Sequence, residues 1–176
     1  YELPEASRTA KGTAIVNLLQ LDQGEKVAAI MPVKDYNAEL YVLMATRNGL
    51  IKKTKLEEYS NIRKSGLQGI TLKEDDELID VRLTDGSNDV VMVTQSGLSI
   101  RFKEEEVRPV GRTSMGVKGI TLANDDKVVG MEPVANNNDY ILAITENGFG
   151  KRTELEEYRS QCRAGKGVLT YKTTSK

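Results

Sequence analysis

Asp89–Phe102 reads DVVMVTQSGLSIRF. Asp89 to Thr94 is β-branched and apolar (Val90, Val91, Met92, Val93), which predicts a largely buried strand. Ser96 and Gly97 predict a tight hairpin. Leu98, Ile100 and Phe102 return on one face, with Ser99, Arg101 and Lys103 on the other, the period of a strand. The same pattern recurs as YVLMATRNGLIKKT at Tyr41–Thr54 and YILAITENGFGKRT at Tyr140–Thr153. The turn glycines Gly49, Gly97 and Gly148 lie 48 and 51 residues apart. Two of the three turns are Asn-Gly, the strongest short-range hairpin signal, whose two turn positions both need positive φ.

Working outward, Leu78 to Leu83 alternates apolar and polar residues and predicts a strand ahead of the central hairpin. Asp85 and Gly86 predict a turn between it and Asp89. Ile70 to Leu72 predicts a further strand start, copied at Ile120 to Leu122, and Lys73 to Glu77 a solvated acidic turn. LEEY at Leu56–Tyr59 and again at Leu155–Tyr158 predicts one helical turn. Between these elements stand basic, glycine-bearing loops: SRTAKG at Ser7–Gly12, IRKSGLQG at Ile62–Gly69, GRTSMGVKG at Gly111–Gly119 and CRAGKG at Cys162–Gly167. Self-similarity on this period marks a propeller, solenoid or array, and four strands per fifty residues is the size of a propeller blade. The units fall at about 12–68, 69–118 and 119–166, with 1–11 and 167–176 belonging to flanking units. Closed rings need at least four blades, so three units imply a piece of a larger ring or an open array.

Composition narrows the chemistry. The 176 residues are 39% hydrophobic and 29% charged, the balance of a folded protein rather than a disordered one. There is no Trp, which disfavours a propeller with a Trp-Asp dipeptide per blade. There is no His, which removes Ser-His and Cys-His catalysis and His-containing zinc sites. The single cysteine, Cys162, forms no intrachain disulfide and suits a reducing cytosol. No signal peptide or apolar span of about 20 residues is present. The net charge of -1 argues by itself against nucleic acid. Its distribution argues otherwise. Each glycine loop carries two basic residues and no acid, while the acids sit at Glu57–Glu58, Glu74–Glu77, Glu104–Glu106, Asp125–Asp126 and Glu156–Glu157.

Basic residues also recur on the return strands: Lys52 and Lys53, Arg101, Lys151 and Arg152. Two readings fit them. Lys and Arg protect edge strands from aggregation, and they also line a phosphate track in which glycine lets backbone amides approach an anion while arginine supplies bidentate contacts. Gly12, Gly69, Gly119 and Gly167 are expected at positive φ. The paired glycines lack the Walker A spacing and follow no βαβ unit, so neither a P-loop nor a dinucleotide fingerprint is present. No nucleophile–base pair or metal cluster stands out.

These stretches, with YELPEASRTAKGTAIVNLLQL, NAELYVLMATRNGLIKKT, LTDGSNDVVMVTQSGLSIRF, GRTSMGVKGITL and ENGFGKRTELEEYRSQCRAGKG, resemble the C-terminal domain of bacterial DNA gyrase A across essentially the whole chain. Topoisomerase IV has a related domain with more degenerate repeats. The resemblance implies an all-β fold, a propeller-like β-pinwheel of four-stranded blades that exchange strands, with three to four blades of a six-bladed disc here. It implies a non-catalytic module whose basic rim binds, bends and wraps double-stranded DNA without regard to sequence. The wrapped segment supports ATP-dependent negative supercoiling by the holoenzyme. Rim residues carried over by position are Arg8, Lys11, Lys52, Lys53, Arg63, Lys64, Arg101, Arg112, Lys118, Lys151, Arg152, Arg163 and Lys166. The expected partners are DNA, the rest of gyrase A, and gyrase B, in the bacterial cytoplasm. No cofactor or metal is expected in this segment, because ATP and Mg belong to other domains or subunits. The family's QRRGGKG-type box, required for wrapping, is absent; CRAGKG is a degenerate echo of it. The alternatives are a repeat scaffold that offers its basic rim to an acidic protein, and the equivalent domain of topoisomerase IV.

Overall fold

The computed structural model describes residues 1, 3–22, 24–36, 38–63, 65–135 and 138–173. Its regular elements are strands and single 3-10 turns. The strands are β1 (Tyr41–Thr46), β2 (Leu50–Lys55), β3 (Leu78–Thr84), β4 (Asp89–Thr94), β5 (Leu98–Lys103), β6 (Val117–Lys118), β7 (Val128–Val134), β8 (Tyr140–Ile144), β9 (Gly150–Glu154) and β10 (Val168–Leu169). They form sheets ordered β3-β1-β2-β6 and β10-β5-β4-β7, and a two-stranded β8-β9 sheet.

The predicted hairpins are the centre of each sheet, and their turns share one construction. Gly49, Gly97 and Gly148 have φ of 86°, 81° and 82°, while the residues before them stay at negative φ. Each glycine N–H donates to a threonine carbonyl three residues back, at 3.0, 3.0 and 2.9 Å for Thr46, Thr94 and Thr145. The hydroxyls of those threonines accept the N–H of Leu50, Leu98 and Phe149. This is a three-residue turn closed by a glycine bulge, not the two-residue turn with positive φ at both centres. Only the glycine is obligatory, so Ser96 serves as well as Asn48 and Asn147.

Neighbouring strands come from later repeats. β3 pairs with β1 (Met44 opposite Val81), and β7 pairs with β4 (Met92 opposite Met131). The fourth strand comes from a glycine loop further on: Val117 and Lys118 oppose Ile51 and Leu50, and Val168 and Leu169 oppose Ser99 and Leu98. Asp85–Asn88 is therefore a crossing between sheets rather than a hairpin. Ile70–Leu72 and Ile120–Leu122 form no strand. The LEEY segments form 3-10 turns at Leu56–Tyr59 and Leu155–Glu157, with a third at Glu104–Glu106.

The acidic turns are not wholly solvated. Asp76 and Asp126, fifty residues apart, are buried. Each carboxylate accepts a backbone N–H from a hairpin tip, from Asn48 and Ser96, both at 2.9 Å. Burial opposes ionisation of Asp126, but hydrogen bonds from Thr94, Ser96 and Lys127 outweigh it and hold the carboxyl below the usual range.

The sheets stack face to face. Leu43, Ala45 and Ile51 of the first pack on Val90, Met92, Ile100, Phe102 and Met131 of the second. Val91 on the other face of the second meets Leu155 and Tyr158, with Ile141 of the third sheet against them. Each fully buried Val, Leu, Ile, Met or Phe among them contributes about 1.5–3 kcal/mol. Leu142 and Ile144, in hairpin register with Leu43 and Ala45, are exposed.

Candidate nucleic-acid interface

The segment that supplies β6 runs the length of β2. Pro109 forms a parallel bridge with Lys53, and the Val110 N–H donates to the Lys53 carbonyl at 2.8 Å. The chain then passes Arg112, turns at Gly116 (φ 95°) and enters β6. The same path lies beside β5. Ser160 bridges Arg101, the Gln161 N–H donates to the Arg101 carbonyl at 2.7 Å, and Gly167 (φ 76°) leads into β10. A Cβ on Gly116 would lie 2.6 Å from the Ile51 carbonyl oxygen, and one on Gly167 2.6 Å from that of Ser99. Ile51 and Ser99 hold the same hairpin position. Gly116 and Gly167 are therefore the matching glycines, 51 residues apart like Arg112 and Arg163. Gly69 and Gly119 do not have positive φ, whereas Gly12, Gly66, Gly116 and Gly167 do. The expectation is thus corrected for two of four positions: Gly119 lies in a bend directly after β6.

Each edge of the sheet next to the hairpin is consequently basic. Residues 108–118 carry Arg108, Arg112 and Lys118 with no acid; residues 159–169 carry Arg159, Arg163 and Lys166 with no acid. Arg108, Lys118, Arg159 and Lys166 are exposed. Sequence reasoning missed Arg108 and Arg159. Their signal was available: each follows a 3-10 turn at the same offset, but outside the glycine loops. Arg8, Lys11 and Arg63 are exposed in the preceding loops, and the Tyr1 hydroxyl donates to the Arg63 carbonyl at 2.7 Å. Lys64 lies outside the described residues.

Three expected rim residues do not stand on this edge. Lys52 is fully buried, its ammonium donating to the carbonyls of Gly69 (2.5 Å) and Arg112 (2.6 Å). Burial lowers its pKa to about 8, with Glu58 opposing the shift and Arg112 adding to it. Lys53 is buried 3.4 Å from the Glu104 carboxylate, donates to the Glu104 carbonyl at 3.1 Å, and lies over the Tyr41 ring. Arg101, largely buried, bonds Asp89 at 2.7 Å and the carbonyls of Leu155 and Tyr158. Burial pushes the Asp89 carboxyl up, but Lys103 and Arg101 hold it below its ordinary value. Lys53 and Arg101 occupy one hairpin position, and both reach the 3-10 turn of the next repeat. They tie stacked sheets together. In the third hairpin Lys151 and Arg152 are exposed, over the rings of Tyr171 (5.5 Å) and Tyr140 (4.4 Å).

Fold and edge together define a class: a strand-exchanging, propeller-type β-repeat with a basic margin repeated from sheet to sheet. The family model described as the DNA gyrase C-terminal domain, a β-propeller, matches residues 1–34, 40–85, 88–135 and 139–176, and the chain belongs to this family. The DNA gyrase A of Clostridium acetobutylicum is 55% identical over the whole chain, and that of Escherichia coli 46%. The chain spans 21% and 20% of their lengths. A solved DNA gyrase A C-terminal domain superposes with a TM-score of 0.84 at 27% identity, over 95% of this chain and 55% of that one. The C-terminal domain of a DNA topoisomerase IV superposes at 0.85 with 38% identity, over 90% of this chain and 49% of that one.

Proposed function

We propose that this chain binds duplex DNA along the basic edges of its successive sheets, without regard to sequence, and curves it. The observation that carries the reading is the repetition: two edges follow one backbone path 51 residues apart, with Arg108 and Arg159 exposed at matching positions, Lys118 and Lys166 exposed at different ones, and no acid on either. Phosphate contacts of this kind position DNA and read no bases; selectivity then comes from deformability. In a complete gyrase the curved segment would be presented for ATP-driven strand passage to give negative supercoils. The chain itself would bring no cofactor to that reaction.

The test is fluorescence-detected binding to random-sequence duplexes. Lys118→Ala with Lys166→Ala should weaken binding evenly across sequences and make the salt dependence shallower by about two contacts. Unchanged affinity in that variant, or preference for an acidic protein over DNA in competition, would refute the reading.

A further inference from the structure

The basic edges are fastened to one another. Glu58 and Glu106 occupy the same place in successive repeats, the third residue of a 3-10 turn. The Glu58 carboxylate accepts the backbone N–H of Arg112 at 2.9 Å, and that of Glu106 accepts the backbone N–H of Arg163 at 3.0 Å. Each arginine then reaches back to the preceding loop. Arg112 Nη1 donates to the Gln68 carbonyl at 3.3 Å, and Arg163 Nη1 to the Lys118 carbonyl at 3.0 Å. A second contact repeats beside the first. The hydroxyl of Thr71 donates to the Thr113 carbonyl at 2.6 Å, and that of Thr121 to the Ala164 carbonyl at 2.7 Å. Lys52 Nζ joins the same two loops through Gly69 and Arg112.

We propose that Glu58 and Glu106 are positioning residues of the DNA-facing margin, holding each basic edge at a fixed offset from the one before it and so setting the curvature imposed on DNA. This rests on the DNA-binding reading above. Chemistry separates it from a bystander role. A carboxylate beside a phosphate track repels DNA, so removing an idle one tightens binding. Removing a clamp loosens the track whatever the charge. Only the acceptor oxygen matters to the clamp, and glutamine keeps it.

The experiment compares Glu58→Ala/Glu106→Ala with Glu58→Gln/Glu106→Gln in the full chain. DNA bending is read by energy transfer between the ends of a short duplex at saturating protein, and amide exchange is read at Arg112 and Arg163. The alanine pair should lose most of the bend and exchange both amides faster, because each arginine amide loses its carboxylate acceptor. The glutamine pair should match the unaltered chain in bend and exchange. Tighter binding with an unchanged bend in both pairs would overturn the proposal, as would glutamine behaving like alanine. If the unaltered chain fails to bind DNA, the functional reading falls. Exchange then still decides the clamp, and unchanged exchange in the alanine pair refutes it.

Discussion

At the scale of single residues, charge in this chain divides between structure and surface. Lys53 and Glu104 form a buried pair where the other repeats place Leu56 and Leu155 at the glutamate's position. Replacing Glu104 alone by Ala leaves a buried ammonium without its carboxylate and should cost about 3–5 kcal/mol in denaturant unfolding, whereas Lys53→Met with Glu104→Leu should cost only about 1–3 kcal/mol, from the Thr84 hydroxyl left without its acceptor. Lys52 carries a pH signature. Its folded pKa lies at about 8, below its ordinary 10.5. Below about pH 8 folded and unfolded chains both hold the proton; above it only the unfolded chain does, so stability rises with pH through this window. Unfolding free energies from about pH 8 to 9 should show that rise in the unaltered chain, below most of the tyrosine titration. Lys52→Ile, which copies the buried Ile100 of the second repeat, should abolish it; a rise of equal size in the variant would refute the assignment. Sequence reading placed Lys52, Lys53 and Arg101 on the rim because the groups that satisfy them are distant in the chain. The carbonyls that hold Lys52 lie 17 and 60 residues away, and no local pattern exposes that.

At the scale of elements, the hairpins were legible because turn chemistry is local. Asn-Gly or Ser-Gly after an apolar run predicts each one. The pairing of β3 with β1 was not, because Asp85–Gly86 looks the same whether it closes a hairpin or crosses between sheets. Nor were two-residue strands such as β6, which hold their place through the neighbouring backbone. That dependence is testable. Gly116→Ala places a Cβ at positive φ against the Ile51 carbonyl and should destabilise by about 2–3 kcal/mol. Gly130→Ala, inside β7 with nothing within 4 Å of its Cβ, should be neutral or stabilise by up to about 1 kcal/mol. Equal thermal shifts for the two would contradict the close-approach account of the recruited edge.

At the scale of the whole molecule, stacked sheets turn a repeat in sequence into a repeat on a surface. The net charge of -1 conceals this, since acids serve hairpin tips, 3-10 turns and clamps while the recruited edges carry bases and no acid. The all-β repeat and the loops that carry the margin were legible from period and composition. Arg108 and Arg159 became part of it only once Pro109 and Ser160 were seen to bridge the hairpins. The central claim is that this margin binds DNA through phosphates. Its most direct measurement is the affinity for a random-sequence duplex as a function of salt. Each neutralised phosphate contributes about -0.9 to the slope of log K against log salt. Roughly six contacts across the exposed margin give a slope near -5, a loss of about three decades between 50 and 200 mM salt, alike for unrelated sequences. A slope near zero, or an affinity that follows base sequence at fixed salt, would contradict it.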